Sequence, residues 1–184
     1  AGCRDAPPFL YFEQVDKAVA WCEDRILNEW RGAEPEGQTH FCTEELNRQL
    51  DYPEAFQALL PYLEKIELAP QSQLIRQGDN SHDLYLVESG VVNVLLESPD
   101  APEIHLRTLG SGTIVGEMSF FLKRPRTASA VAETKAVVWQ LREESFLRMA
   151  KLEPQLAYAL NGHLLRIIAE RLDQSNRLVR SLTG

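Results

Sequence analysis

Several features that would assign a chain to a familiar class are missing from this 184-residue sequence. Its three cysteines, Cys3, Cys22 and Cys42, are odd in number and widely spaced, with no C-x-x-C pair. That pattern argues against a disulfide framework and against a zinc site, and it favours a reducing compartment. No apolar run approaches the length of a membrane span, and no signal peptide is visible.

A basic excess is also missing. The net charge is −8; residues 1–70 hold 14 acids and 6 bases, whereas residues 71–184 hold 13 of each. A nucleic-acid-binding domain usually has a basic face, so we expect no direct binding of nucleic acid. No Ser/His/Asp or metal-ligating constellation stands out, and His82 with Asp83 is interpreted as a pair in a turn. We therefore expect a protein that is not an enzyme and has no metal.

Helical periodicity is present towards both ends of the chain. In residues 11–30, apolar side chains recur at the spacing of an amphipathic helix. The Gly, Pro and polar content of residues 31–42 predicts a linker, and a further helical stripe then runs to about residue 62. A longer stripe returns over residues 143–182, where Pro154 is expected near the start of a helix.

Between those helices the hydrophobic period changes. Residues 66–142 contain short Val-, Leu- and Ile-rich runs cut by Gly, Asp, Asn, Ser and Pro, which is typical of a small antiparallel sandwich or barrel. The predicted fold class is α+β: an antiparallel, jelly-roll-like β-roll flanked by N-terminal helices and long C-terminal helices. We expect a terminal helix in residues 1–30, a linker in residues 31–42 and one domain in residues 43–184.

The sequence GEMSFFLKRPRTAS, residues 116–129, places an acid and an arginine at the two ends of a mostly apolar interval. Gly116 permits a tight turn, and residues 117–122 can form a helical turn whose free N–H groups face an anion. Arg126 offers a planar fork that matches two phosphate oxygens, whereas ionised Glu117 only accepts hydrogen bonds and suits a sugar hydroxyl. The set predicts a site for a small phosphorylated sugar. The alternative is that Glu117 and Arg126 pair across a surface turn.

This segment resembles the phosphate-binding cassette of cyclic nucleotide-binding domains, which has a Gly-Glu start and an arginine nine residues after the glutamate. Upstream patterns resemble the turn glycines of the same family: Ile75-x-Gln77-Gly78-Asp79, Leu84-Tyr85-Leu86-Val87, Gly90-x-Val92 and Leu109-Gly110-Ser111-Gly112. The resemblance covers about residues 43–182. The sequence departs from the family at Gln71, where many relatives have Gly, and at Val115, where Phe is frequent; both departures concern affinity more than fold.

The resemblance implies that the ligand is a cyclic nucleotide, either cAMP or cGMP. The implied ligand-binding residues are Gly116, Glu117, Met118, Ser119, Arg126, Thr127 and Ala128. Glu117 is expected on the ribose 2′-hydroxyl and Arg126 on the cyclic phosphate, with backbone amides completing the cradle. Thr127 can favour guanine in relatives, yet cAMP-preferring channels also carry it, so both nucleotides stay open. The expected lid residue on the final helix is Arg177, Leu178 or Arg180.

A second resemblance concerns FLYFEQVDKAVAWCEDRIL, residues 9–27, which is similar to the last helix of a STAS domain, the cytosolic module that ends sulfate-permease-type anion transporters. The alternative is an amphipathic helix that docks on its own domain. The resemblance implies the C-terminal tail of a membrane transporter, at the cytoplasmic face, with STAS and transmembrane domains upstream. The chain has no initiating Met, as expected for part of a longer protein. We expect the helix to pack on the roll or on a second chain in a homodimer.

Together these patterns predict a regulatory binding module whose C-terminal helix moves when a cyclic nucleotide binds. Two alternatives stay open. One is the sensor part of a catabolite-activator-type transcription factor, which shares the roll and the long helix. The other is a degenerate roll that binds no nucleotide and serves in dimerisation or docking.

Overall fold

The computed structural model describes residues 46–98 and 101–183 of the chain. These residues belong to one compact unit. The terminal helix predicted in residues 1–30 and the linker predicted in residues 31–42 lie outside the described residues.

Helical residues 46–50 open the described part of the chain, and a 3-10 turn, Leu60–Tyr62, leads into the first strand. The strands are β1 (Leu63–Leu68), β2 (Gln73–Ile75), β3 (Leu84–Ser89), β4 (Val92–Ser98), β5 (Ala101–Leu109), β6 (Ile114–Val115), β7 (Ser129–Ala132) and β8 (Ala136–Leu141). The helices are α1 (Ala55–Leu59), α2 (Glu117–Leu122), α3 (Glu143–Leu152) and α4 (Pro154–Thr183). The order of helix, strands and long helices is the one that the hydrophobic period predicts.

The strands form two four-stranded antiparallel sheets, in the orders β1-β8-β3-β6 and β2-β7-β4-β5. In the first sheet β8 is central, so that Val138 lies between Ile66 of β1 and Val87 of β3. In the second sheet, Val94 of β4 pairs with Ala130 of β7. Strands that are distant in sequence are therefore neighbours in space, and the predicted α+β fold with an antiparallel β-roll is confirmed.

The two faces of β3 contribute to two separate cores. Leu84 and Leu86 pack with the helices, whereas Tyr85 and Val87 pack in the interior of the roll, as alternation along a strand requires. Large side chains fill the helix-facing core: Phe56, Leu59, Leu141, Met149, Leu156, Leu160 and Leu164. Smaller ones are frequent in the roll interior: Val92, Ala130, Ala132, Ala136 and Val138.

The two C-terminal helices pack on the first sheet through the helix-facing core. They are separated at Glu153, whose backbone is not helical, and Pro154 is the first residue of α4, where its missing N–H is tolerated. Along α4 the buried stripe includes Leu156, Leu160 and Leu164. None of the helices in the described part of the chain combines the length and the apolar character that a bilayer crossing requires.

The turn between β3 and β4 lies close to the turn between β7 and β8. Gly90, in the first of these turns, has a φ of +83°, and a Cβ added to it would lie 2.4 Å from the carbonyl oxygen of Lys135. Only glycine adopts that conformation without strain and avoids the clash. Gly90 therefore has the structural role that the sequence predicted.

Candidate functional site

The site is built where the chain leaves β6 and re-enters the sheets at β7. Gly116 follows β6 with a φ of 99° and forms the N-cap of α2, and Lys123, with a φ of 51°, ends that helix. A Cβ on Gly116 would lie 2.6 Å from Nη1 of Arg126 and 2.6 Å from the backbone oxygen of Asp83. Glycine is thus required both by the backbone angle and by the close packing of Arg126.

The Arg126 side chain is buried beneath this loop, with 4% of its surface exposed. Nη1 donates hydrogen bonds to Oγ of Ser119 (2.7 Å) and to the backbone oxygen of Gly116 (3.2 Å). Nη2 donates to the backbone oxygen of Asp83 (2.7 Å) and to Oγ of Ser81 (3.0 Å). All four acceptors are uncharged, and no carboxylate of the described residues forms an ion pair with Arg126.

The surroundings of Arg126 also change two pKa values. Burial lowers the pKa of Arg126, and the charges of Tyr85, Asp83 and Glu117 oppose that effect. Burial, followed by the Asp83 charge, raises the pKa of Tyr85, whose ring centroid lies 5.8 Å from the guanidinium carbon. An arginine stays protonated in proteins, so the loop holds a buried positive charge with no anionic contact among the described residues.

Glu117 is equally buried, with 4% of its surface exposed. Its Oε1 accepts a hydrogen bond from Nη1 of Arg171, which belongs to α4, and Nη2 of Arg171 donates to the backbone oxygen of Ile114 (3.1 Å). Glu117 and Arg126 are therefore not partners. The alternative of an ion pair across a surface turn is wrong, because both side chains are buried and each has other contacts.

The remaining residues predicted for the cradle line the same loop. Met118 and Ser119 are in the first turn of α2, where backbone N–H groups lack intrahelical acceptors. Ser119 is buried and donates its hydroxyl to the oxygen of Gly116 (3.2 Å). Thr127 is exposed and its hydroxyl faces the sulfur of Met118 (3.8 Å), and Ala128 is half-buried. The structure thus brings all seven predicted residues into one loop.

The three lid candidates lie further along α4. Arg177 is exposed and pairs with Asp173 one helical turn earlier (2.8 Å), and Arg180 is exposed as well. The side chain of Leu178 lies outside the described ones. Arg171 of α4 hydrogen-bonds to the loop through Glu117, and the sequence analysis did not predict this contact. A signal existed: Arg171 continues the stripe formed by Leu160, Leu164 and Ile167, and a charged side chain in a buried stripe indicates a polar partner.

Asp83 also has more contacts than the interpretation as a turn residue predicted. While its backbone oxygen accepts from Arg126, its carboxylate accepts from the backbone N–H of Glu143 (3.1 Å) and from Nε2 of Gln140 (2.8 Å). Glu143 in turn pairs with Lys123 at the end of α2 (2.7 Å). Asp83 therefore connects the buried arginine with the start of α3.

An apolar cavity lies elsewhere, between the helices and the first sheet. Its lining residues are Leu46, Leu59, Leu63, Leu84, Leu86, Ile114, Trp139, Leu141 and Leu160. None of these side chains is charged and none belongs to the predicted cradle. The cavity therefore lacks the donors that a phosphate requires.

Residues 65–152 match the family model of the cyclic nucleotide-binding domain. This part of the chain, which contains the roll, the loop and α3, therefore belongs to that family, and the resemblance found in residues 116–129 is confirmed at the level of the family. A domain of this family from Methylobacillus flagellatus has the same fold, with a TM-score of 0.68 at 24% identity, over 79% of this chain and 86% of that one.

Two curated proteins are similar in sequence. The cyclic AMP receptor protein of Thermus thermophilus is 34% identical over 119 residues, 64% of this chain and 55% of that protein. Glutaminase 2 of Bradyrhizobium diazoefficiens is 28% identical over 174 residues, 94% of this chain and 27% of that protein. The alignments with curated relatives cover between 18% and 56% of the length of the relative.

Proposed function

We propose that this chain is a regulatory module that binds a cyclic nucleotide, cAMP or cGMP, in the loop of residues 116–129. One observation carries the proposal: Arg126 is a buried cation whose contacts among the described residues are all to neutral acceptors. The nearby charges of Asp83 and Glu117 favour the cation without forming an ion pair with it, and a buried charge that lacks an ionic contact is unfavourable. A cyclic phosphodiester supplies one negative charge and oxygens that fit the guanidinium fork.

In the bound state, Arg126 would donate to the phosphate, and the backbone amides near Met118, Ser119 and Ala128 would donate beside it. Thr127 adds a hydroxyl at the edge of the cradle, and Glu117 would accept from the ribose 2′-hydroxyl. The sugar and the base would lie against small side chains of the roll interior, such as Ala130. The name of the Thermus relative mentions cyclic AMP, which favours cAMP as the first ligand to test.

The signal would leave the site through the C-terminal helices. Asp83 joins Arg126 to the first residue of α3, so a movement of the guanidinium towards a phosphate changes a contact of that helix. The expected lid residue of α4 is still Arg177, Leu178 or Arg180. Such coupling needs ligand contacts that differ between two positions of the helices.

The domain that this module would regulate in the parent protein is proposed from two observations, one in the sequence and one from a relative. The resemblance of residues 9–27 to a STAS domain supports an anion transporter, with this module at the cytoplasmic face of the membrane.

A second candidate for the parent protein is an enzyme, because the glutaminase alignment covers 174 residues and so extends well ahead of residue 46. The sequence upstream of Ala1 separates the two: membrane spans support the transporter, and a soluble catalytic domain supports the enzyme. The third candidate is the sensor part of a catabolite-activator-type transcription factor. A DNA-binding segment downstream of Gly184 in the parent protein would support it.

We also propose that two copies associate through α4. Tyr158, Leu165 and Leu172 are exposed and spaced by seven residues, on the side of the helix opposite to Leu156 and Leu164. A repeat of seven corresponds to one of the two apolar positions of a heptad, through which parallel helices can pack together. Sedimentation equilibrium of the isolated chain tests this: a monomer at all concentrations would contradict it.

The binding proposal is tested by calorimetry with cAMP and with cGMP. We expect Arg126→Ala to weaken binding at least about tenfold, because a hydrogen bond to a charged group contributes about 1.5–3 kcal/mol and about 1.4 kcal/mol corresponds to a decade. The matched control is Arg124→Ala, which removes the same charge from an exposed position of the same loop. Thermal unfolding establishes that each variant is folded, and Arg126→Lys retains the charge if the alanine variant does not fold.

Two results would contradict the proposal. If neither nucleotide binds or raises the melting temperature of the unmodified chain at saturating concentration, the roll is a docking or dimerisation module. If Arg126→Ala and Arg124→Ala bind equally well, Arg126 does not hold the phosphate.

A further inference from the structure

Thr127 combines an exposed hydroxyl with a position at the edge of the proposed anion site. Residues 123–128 contain no helix or strand, and Thr127 is exposed. Its hydroxyl faces the sulfur of Met118 at 3.8 Å, and a thioether sulfur is only a weak hydrogen-bond acceptor. The hydroxyl is therefore open to chemical modification, although it lies in the loop that we propose for the ligand.

Two exposed cations come shortly before Thr127 in the sequence: Lys123 four residues earlier and Arg124 three residues earlier. Lys123 already pairs with Glu143 of α3 (2.7 Å), so Arg124 is the more available of the two. Protein kinases select their substrates in part by the pattern of charges around the hydroxyl. The arrangement fits a serine/threonine kinase whose peptide groove carries carboxylates for an arginine three residues before the hydroxyl.

Ser129 has the same spacing from an arginine, because it follows Arg126 by three residues. The structure separates the two hydroxyls. Ser129 is 1% exposed; its Oγ donates to Oε1 of Glu97 and accepts from the backbone N–H of Gln77 (2.9 Å). Arg126 is buried as well. Of the two hydroxyls with this spacing, only that of Thr127 is therefore within reach of a kinase.

A phosphoryl group on Thr127 would change the charge of the proposed cradle. It adds about 1.5 to 2 negative charges and three acceptor oxygens at pH 7. Thr127 directly follows Arg126, and its hydroxyl lies against Met118, so the new anion would stand at the edge of the cradle proposed for the phosphodiester. Two anions in one partly buried loop repel each other. Phosphorylation and nucleotide binding would therefore exclude each other.

We propose that Thr127 is a phosphorylation site for a kinase that recognises Arg124, and that its phosphorylation closes the anion site to cyclic nucleotides. In the transfer, Oγ1 of Thr127 forms a bond to the γ-phosphorus of a nucleoside triphosphate while the bond from that phosphorus to the β,γ-bridging oxygen breaks. The hydroxyl proton goes to the catalytic base of the kinase, and a nucleoside diphosphate leaves. The closure of the site rests on the proposed function, whereas the modification of Thr127 does not.

The exclusion also acts in the opposite direction. The backbone N–H of Arg126 donates to the oxygen of Asp79 (2.9 Å), and its oxygen accepts from the N–H of Gly78 (2.8 Å). A kinase that binds residues 124–127 in an extended conformation must first open these two bonds locally. A nucleotide held by Arg126 opposes that opening, so it should slow the phosphorylation.

The first test is phosphorylation of the chain by ATP and the catalytic domain of a kinase that prefers arginine three residues before its target. Mass spectrometry of the peptides should locate the phosphate on Thr127 and not on Ser129. We expect Arg124→Ala to slow the reaction at least about tenfold, because the charged contact to the kinase is lost. The control is Arg142→Ala, at an exposed arginine that pairs with Glu64 (2.6 Å), and it should leave the rate unchanged.

The second test measures closure of the site by calorimetry with cAMP and with cGMP. Thr127→Glu and Thr127→Gln introduce side chains of the same shape that differ in charge. We expect Thr127→Glu to bind the nucleotide at least about tenfold more weakly than Thr127→Gln does. Thermal unfolding without ligand establishes that both variants are folded. In the phosphorylated chain, the nucleotide should no longer raise the melting temperature.

The outcomes keep this inference apart from the proposed function. A phosphate found on Ser129, or none on Thr127, would overturn the modification site. Equal affinities of Thr127→Glu and Thr127→Gln, or a nucleotide-induced rise in melting temperature that survives phosphorylation, would overturn the closure. If the unmodified chain binds neither nucleotide, the proposed function is contradicted and closure with it, whereas phosphate on Thr127 would still establish the modification site.

Discussion

The two faces of the sheet formed by β1, β8, β3 and β6 differ in the size of the side chains that they bury. The face towards α3 and α4 packs large residues such as Leu141, Met149 and Leu156, whereas the face towards the roll interior packs Val87, Val138 and their small neighbours. Large complementary side chains provide most of the burial that stabilises a domain. Ala130, one of the small residues of the other face, directly follows the 116–129 segment in which we propose that the ligand binds.

Buried polar side chains are concentrated in the loop between β6 and β7. Arg126, Glu117 and Ser119 are buried there; Arg126 lies beside Tyr85 of the roll interior, and Glu117 bonds to Arg171 of α4. The helix-facing core contains the buried titratable residue Tyr62, and His163 of α4 is buried as well. If the proposed ligand site is correct, substitutions in the helix-facing core and in the roll interior should affect different measurements.

The largest expected effect is on stability, from a deletion in the helix-facing core. Leu156→Ala removes a fully buried side chain of α4, and we expect the free energy of unfolding to fall by about 2–5 kcal/mol. Urea unfolding measures the change, and calorimetry on the folded variant should still detect nucleotide binding. Leu152→Ala, at a residue that is 68% exposed, is the control and should be nearly neutral. If Leu156→Ala lost nucleotide binding without losing stability, the helix-facing core would not have the stabilising role expected here.

A smaller effect on stability, joined to a large effect on binding, is expected inside the roll. Ala130 is 1% exposed and follows the 116–129 segment by one residue. Ala130→Leu overpacks the interior and should lower the free energy of unfolding by about 1–3 kcal/mol, while filling the volume that the ligand needs. Val131→Leu is the control, because the next side chain along β7 points to the other face. If Ala130→Leu binds nucleotide as well as Val131→Leu does, the small residues do not serve the ligand.

The sequence predicted the parts of this arrangement that depend on local spacing. Short Val-, Leu- and Ile-rich runs cut by turn residues indicated the strands of residues 66–142, and the nine-residue interval between Glu117 and Arg126 indicated the loop. The roll was expected to begin at residue 66, but β1 begins at Leu63, which pairs with Leu141; a pairing across the whole roll cannot be read from neighbours in sequence. Arg171 and Asp83 were missed for the same reason, since their partners lie 54 and 43 residues away.

The smallest expected effect concerns the two tyrosines whose pKa values are raised, one on each face. For Tyr62, towards the helices, the main cause is the hydrogen bond that it donates to Glu153 (2.8 Å). For Tyr85, in the roll interior beside Arg126, it is burial. A raised pKa favours the neutral phenol in the folded state. Its contribution to stability is therefore complete below the ordinary pKa of 10.0 and is lost as the pH rises through the raised value.

Tyr85→Phe cannot ionise, so its free energy of unfolding should fall less steeply than that of the unmodified chain above about pH 10. A phosphate bound at Arg126 would place a further negative charge near Tyr85 and raise its pKa again, whereas Tyr62 lies on the other face and should not respond. Titration of tyrosinate absorbance with and without the nucleotide, in the unmodified chain, Tyr85→Phe and Tyr62→Phe, resolves the two contributions. A ligand-induced shift that persists in Tyr85→Phe and disappears in Tyr62→Phe would place the anion on the helix-facing side and reverse the assignment of the two faces.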